Sequence, residues 1–300
     1  MKIQISRHTK VLIKQLLPLF LIVLFAVSCD KDEHKWVSSN PSTDVLARME
    51  TPRPLTDGTT LLVSHDVTIN GKKVVTYELE YDKTKYHSRW VAFRFDANTR
   101  SKTVGRADEP FADDPSLTSD LYIGSNGFGW EYNRGHLCAS ADRLYNSTAN
   151  VQTFYMTNMS PQLASFNQGY WITLENLVQK LGRNNSFADT LYVVKGGTIK
   201  QEQIKEYITR NEGKKVPVPM YYYMALLKVK NGIYQSIAFW MEHKEYGYTY
   251  NNKAPLSKIK THAISVNELE DYTGIDFFPN LPDASEEKIE SQNVPSAWGM

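Results

Sequence analysis

Cysteine is nearly absent: only Cys29 and Cys138 occur in 300 residues, which excludes a disulfide-stapled scaffold. No internal repeat and no low-complexity block appears, so solenoids and fibrous arrays are excluded. A charge excess is also missing. The 34 Lys and Arg residues nearly balance 33 Asp and Glu, so global attraction cannot deliver a polyanion to this chain. The histidines away from position 136 show no paired ligand spacing, which argues against a structural zinc site. Gly124, Gly127 and Gly129 form a glycine-rich stretch without the strand and helix context of a nucleotide cradle, and read as a loop. The longest apolar run, Leu16 to Val27, is twelve residues, whereas a membrane-spanning helix needs roughly 20.

What that run does have is the layout of an export signal. Lys2, Arg7, Lys10 and Lys14 precede it, and it closes on Ala26-Val27-Ser28-Cys29. The cysteine after Ser28 resembles a bacterial lipobox, with Ala26 where leucine is usual, and implies cleavage before Cys29 with lipid on its sulfur. We therefore expect residues 1–28 to be a signal peptide and 29–58 a lipid-anchored flexible tether. The polar stretches Ser38-Ser39-Asn40-Pro41-Ser42 and Pro52-Arg53-Pro54 support the tether. Residues 59–300 then form a single domain on the bacterial envelope, at the periplasmic face or the cell surface. Removing the four basic signal residues from the 34 leaves 30 against 33 acidic, a mature charge near −3. Any affinity for nucleic acid must come from a local basic cleft. Arg94, Arg100, Arg106, Arg134 and Arg143 supply the residues for one. A Cys29–Cys138 bridge would tie the tether close to His136, so Cys138 is expected to be a reduced, buried small hydrophobe.

Strand-forming runs occupy Thr60 to Ser64 and Val74 to Tyr81, with Asn70-Gly71 as a hairpin turn, and Trp90 to Phe95 alternates as a third strand. Arg134 to Cys138 and Phe154 to Asn158 read as two short strands, the second broken by Ser160-Pro161. Tyr170 to Leu181 carries a helical stripe at Trp171, Leu174, Leu177, Val178 and Leu181, stopped by Gly182. Leu191 to Val194, Met220 to Val229 and Ile237 to Met241 look like core strands, and Val266 to Tyr272 a helix closed by Gly274. Tyr246, Tyr248 and Tyr250 alternate. That pattern suits an aromatic hairpin better than a base-stacking face.

The most informative segment is Tyr132-Asn133-Arg134-Gly135-His136-Leu137, followed by Asn158, Asn167 and Glu175. Together these supply a base, a phosphate contact, a metal ligand and a carboxylate, which is what hydrolysing a phosphodiester with one divalent ion requires. Eight residues of ideal α-helix turn about 800°, two turns plus about 80°, so Asn167 and Glu175 look toward one side.

Asn133-Arg134-Gly135-His136, Met156 to Gln162, and Phe166-Asn167-Gln168-Gly169-Tyr170-Trp171 through Glu175 resemble the signature of the DNA/RNA non-specific endonucleases, the ββα-metal group. Thr273 to Pro282 resembles that family's C-terminal segment. The resemblance implies an α+β fold: an antiparallel sheet flanked by helices, with the histidine on a strand and the Asn/Glu pair on the following helix. It implies that His136 is the general base, Asn167 the direct ligand of a Mg²⁺ ion, and Glu175 a hydrogen-bond partner of a metal-bound water; whether Mn²⁺ substitutes is left open by the sequence. Asn158 would order the site, Arg134 would support the motif or contact phosphate, and Arg106 would steady the charged transition state. DNA and RNA would be substrates, cut to leave 5′-phosphate ends. Two positions depart from the pattern: Asn133 replaces the usual Asp, and Gln179 sits where some members have a cation, with Lys180 adjacent. An inactive relative that binds nucleic acid or protein, and a phosphodiesterase for another ester, are the alternatives. The sequence leaves open a homodimer and an immunity or inhibitor protein.

Overall fold

The computed structural model describes residues 43–108 and 110–300; the expected signal, and Cys29 with its lipid, lie outside them. Its strands are β1 (Thr60–Ile69), β2 (Lys72–Asp82), β3 (His87–Phe95), β4 (Tyr132–His136), β5 (Met159–Leu163), β6 (Thr190–Gly197), β7 (Ile204–Thr209), β8 (Lys215–Pro219), β9 (Tyr221–Lys230), β10 (Ile233–Glu242) and β11 (Ala263–Ile264). Seven of them form an antiparallel sheet in the order β1-β2-β3-β6-β9-β10-β11, while β4-β5 and β7-β8 make separate two-stranded sheets.

Side chains alternate across a strand, and here both faces are buried. Val91, Phe93 and Phe95 of β3 join Leu191 and Val193 of β6 and Met224 and Leu226 of β9 in one core. Trp90, Ala92, Val194, Ala225 and Leu227 point into another. The first core is covered by the helix Ile172–Arg183 through Leu174, Leu177, Val178 and Leu181. The second is covered by the helices Val266–Thr273 and Asp283–Glu290 through Val266, Leu269 and Ile289. Burying each such aliphatic side chain contributes roughly 1.5–3 kcal/mol relative to exposure. Among the described residues, no helix is long and apolar enough to cross a membrane.

The Asn70-Gly71 turn has positive φ at both residues, 50° and 74°, as a two-residue hairpin of this twist demands; Asn231-Gly232, at 51° and 76°, repeats the device between β9 and β10. Ser265 and Glu268 cap the Val266–Thr273 helix reciprocally, and Gly274 ends it at φ 64°.

Four expectations are corrected. The second site strand is Met159–Leu163 rather than Phe154 to Asn158; Met156–Asn158 is a 3₁₀ turn leading into it. Pro161 lies inside β5, opposite Arg134, where a two-stranded ribbon leaves an edge that does not need its missing N–H. Gly182 does not stop the helix but lies within it, where a Cβ would sit 2.4 Å from the Phe95 ring. Its role is close helix–sheet approach. The expected tether does not extend over residues 43–58. Thr43–Leu46 is helical, Glu50 and Thr51 are buried, Arg48 pairs with both Glu50 and Glu78, and Thr51 donates to Glu78. Residues 43–58 therefore pack on the domain, and only 29–42 of the expected tether lies outside the described residues. The tyrosines form no hairpin strand: Tyr246 stacks on Tyr170 at 3.8 Å and Tyr248 packs beside it, whereas Tyr250 is exposed.

Candidate active site

Alternation along β4 places Tyr132, Arg134 and His136 on one face, and Asn133 and Gly135 on the other. Gly135 is required: a Cβ there would lie 2.2 Å from Oε1 of Gln162. Beyond His136 the chain is clasped by Asn158, which is fully buried. Its Oδ1 accepts from the Cys138 amide at 2.8 Å, and its Nδ2 donates to the carbonyls of Cys138 (2.8 Å) and Thr153 (2.7 Å). Asn158 thus spends its side chain on backbone and fixes where β4 ends. Cys138 is fully buried and unpaired, and burial pushes its thiol pKa up.

Two neutral histidines bolt β5 to the large sheet. His87 meets the Ser160 hydroxyl through Nε2 at 2.7 Å, and Nε2 of His243 accepts from the Leu163 amide at 2.8 Å. Burial holds each imidazole at about 4. The Tyr222 hydroxyl donates to the Pro161 carbonyl at 2.7 Å, a further tie.

His136 stands edge-on to Phe154 with centroids 5.0 Å apart, and 5.9 Å from Phe111. Its Nε2 is shut off from solvent and has no hydrogen-bond partner. Burial, aided by the charges of Arg106, Lys195 and Arg134, lowers its pKa to about 3, so the ring is neutral. The same two aromatic rings carry the arginines. Arg106 lies over Phe154 at 4.9 Å, and Arg134 over Phe111 at 3.6 Å while donating to the Ser125 carbonyl at 2.7 Å. The glycine-rich segment is the loop that holds Arg134. Its backbone is fixed by Asp113, which accepts from the amides of Ile123 and Gly124.

Asn167 sits in a π-helical turn, Phe166–Trp171, directly before the helix that carries Glu175. Such a turn holds about one extra residue, so the eight steps from Asn167 to Glu175 make about two full turns rather than two turns plus about 80°. Both side chains therefore come onto nearly one face. The turn is braced by the loop after β10. Ala254 donates to the Gly169 carbonyl at 2.8 Å, and a Cβ on Gly169 would meet the Tyr248 carbonyl carbon at 2.5 Å. No other described residue hydrogen-bonds the Asn167 amide.

Glu175 is buried against Lys195, whose Nζ donates to Glu175 Oε1 at 3.0 Å and to Asp142 Oδ2 at 3.1 Å. Burial raises the Glu175 pKa, with Lys195 opposing. Burial pulls Lys195 the other way, but Asp142 and Glu175 outweigh it and hold the ammonium above its ordinary pKa. The structure thus brings His136, Arg106 and Arg134 together around Phe111 and Phe154, and sets Asn167 and Glu175 on one helix face. Asn158 stands behind them as a clasp. Sequence reasoning missed Lys195, Asp142, Phe111 and Phe154. A signal existed for Lys195, which shares the period-two face of Leu191 and Val193, a face otherwise apolar. A cavity of about 400 Å³ lies elsewhere, lined by Asp82, Arg89, Lys200 and Gly274 among others. Its Asp82 and Arg89 are already paired, with Lys85 and Glu80.

An ion at this site would find few protein donors. Among the described residues, no group of three or more His, Cys, Asp and Glu is arranged to hold a metal. The uncommitted Asn167 amide fits an oxygen-ligated ion that keeps most of its waters.

The family of DNA/RNA non-specific endonucleases matches residues 58–284. The mitochondrial nuclease EXOG of Xenopus laevis is 28% identical over 227 residues, covering 70% of this chain and 58% of that protein. A nuclease of Nostoc sp. is 28% identical over 254 residues, covering 81% of each. In the crystal structure of the EndoG/EndoGI complex, one chain matches with a TM-score of 0.56 and 22% identity, over 73% of this chain and 88% of that one, a likeness of fold. The family match takes in every element that carries the site, from β1 to the start of the Asp283–Glu290 helix, and the chain belongs to the DNA/RNA non-specific endonuclease family.

Proposed function

We propose that this protein is a metal-dependent endonuclease that hydrolyses DNA and RNA without strong sequence preference, leaving 5′-phosphate ends. The observation that carries the reading is the unpartnered Nε2 of His136, held neutral beneath Arg106 and Arg134 on a ββα unit. A neutral imidazole accepts the proton of an attacking water, and the negative charge of an arriving phosphate raises its proton affinity during the reaction. Arg134, fixed by Ser125 and Phe111, and Arg106, over Phe154, offer cations to the phosphoryl oxygens. These charges supply locally the attraction that the chain as a whole lacks. Asn167, with Glu175 on the same helix face, would hold a divalent ion, most simply Mg²⁺; when bound, the ion supplies Lewis-acid stabilisation of charge on the phosphate. Asn158 positions the end of β4. Asn133, the departure that would favour an inactive relative, is on the strand face away from His136. By the same proposal the enzyme works outside the cytoplasm, tethered through lipid on Cys29.

The test incubates the full chain, purified in detergent, with supercoiled plasmid and with RNA, in Mg²⁺, in Mn²⁺ or in EDTA. Nicking of both polymers that needs the cation and falls about 10²–10⁴-fold in His136→Ala is expected. A folded wild-type chain that cuts neither polymer would sink the proposal.

A further inference from the structure

We infer that Lys195 is a positioning residue that fixes the Glu175 carboxylate for the His136 site, with Asp142 as its own anchor, an assignment that rests on the nuclease reading above. Lys195 is fully buried on β6, on the face of Leu191 and Val193 beneath the Ile172–Arg183 helix. Packing alone has no use for a lysine there. Well-packed apolar residues commonly replace buried ion pairs at no loss of stability, so such a pair is weak evidence for a stabilising role. What the ammonium does is join three parts of the site. Asp142 lies in the turn Ser140–Arg143 that follows β4, and its Oδ2 also accepts from the Ala139 amide at 2.9 Å, three residues beyond His136. Glu175 comes from the helix and Lys195 from the sheet. Of the three side chains, only Glu175 reaches solvent, at 10% exposure against 0% for Lys195 and Asp142. The ammonium therefore grips Glu175 from behind and leaves its outward side available. On the helix itself, Gln179, one turn beyond Glu175, is neutral, and Arg183 donates to the Ala141 carbonyl instead.

Two measurements on the full chain test the assignment: steady-state plasmid nicking, and Mn²⁺ binding without substrate, followed by the loss of the free-ion paramagnetic resonance signal. Lys195→Met is expected to lower kcat about 10–100-fold and to weaken Mn²⁺ binding by about the same order, as loss of a partner that orients a metal-site group does. The KM for plasmid should stay within about threefold, and adding Lys195→Met to Glu175→Gln should cost less than about threefold more, because both act through one carboxylate. Should Lys195→Met fail to fold by circular dichroism, Asp142→Asn/Lys195→Met removes one stranded carboxylate and is read the same way. A folded variant with wild-type kcat and Mn²⁺ affinity, or losses that multiply in the double variant, would overturn the assignment. A wild-type chain that binds Mn²⁺ but cuts no nucleic acid overturns the nuclease reading alone, since the Mn²⁺ titration still reports on Lys195. One that does neither overturns both.

Discussion

On the face of the sheet that carries β4, β5 and the Ile172–Arg183 helix, buried imidazoles are held low: His136 at about 3, His87 and His243 at about 4. On the opposite face, the carboxyls of the two C-terminal helices are pushed up, Glu270 to about 7 and Glu290 to about 9. Burial is the leading cause on both sides, and it drives each group toward its neutral form. Both faces also leave a polar atom without a partner, Nε2 of His136 on one and Oε1 of Glu290 on the other. The sign of the neighbours separates them. Arg106, Lys195 and Arg134 act on His136, whereas Glu270, Glu286, Asp276 and Glu287 act on Glu290. A phosphate is drawn to the first and repelled by the second. An unspent hydrogen-bonding atom marks a site only when the surrounding charge admits a ligand of the right sign.

Removing Asn158 should give the largest stability effect on the site face. Asn158→Leu leaves the Cys138 amide and the carbonyls of Cys138 and Thr153 without their partner. Each such buried group costs roughly 1–3 kcal/mol. A drop in melting temperature on the order of 10 °C is expected. Activity measured well below the melt should fall as well, because a displacement of about 1 Å at His136 is enough to cost about 10²-fold. An unchanged melt would show that the clasp does not hold β4.

The next effect is set by pH. His87 and His243 have folded values near 4, below the ordinary 6.5, so the unfolded chain binds more protons between those values. Their stabilisation is complete above about pH 6.5 and is lost as pH falls through about 4, each contributing on the order of 3 kcal/mol. Glu270 and Glu290 act with the opposite sign over the same range, so the comparison isolates the histidine: between pH 7 and 4.5 the wild-type urea midpoint should lose ground to that of His87→Gln. A slope identical to wild type would remove His87 from the account.

The elements with repeated, redundant signals were legible in the sequence. The large-sheet strands stand out because both faces are buried, and the Asn-Arg-Gly-His segment with Asn158, Asn167 and Glu175 stands out as a linked set. What was hidden depends on partners distant in the chain. Gly182 looks like a helix stop until the Phe95 ring is placed against it. Lys195 looks like the polar end of an apolar run until Asp142 and Glu175 meet it. Asn158 has the residue type of a ligand, but its bonds to Cys138 and Thr153 make it a clasp. The π turn at Phe166–Trp171 leaves no mark in the residues themselves, yet it decides the alignment of Asn167 with Glu175. Residues 43–58 read as a tether because only Val45 and Met49 pack on the apolar core, while Arg48, Glu50 and Thr51 are held through polar contacts that end on Glu78.

The smallest effect should come from the far face and carry the opposite sign. Glu290 has a folded value near 9 against an ordinary 4.5, so it favours the folded state only while protonated. That stabilisation is present below about pH 4.5 and disappears as pH rises through about 9. Glu290→Gln keeps a neutral, hydrogen-bonding side chain and lifts the conflict with Glu270, Glu286, Asp276 and Glu287. It should raise the melting temperature by a few degrees at pH 8, lose that advantage at pH 4.5, and leave plasmid nicking unchanged. If nicking also shifted, the two faces would be energetically coupled through the sheet, and the contrast between them would have to be drawn at the level of the whole domain.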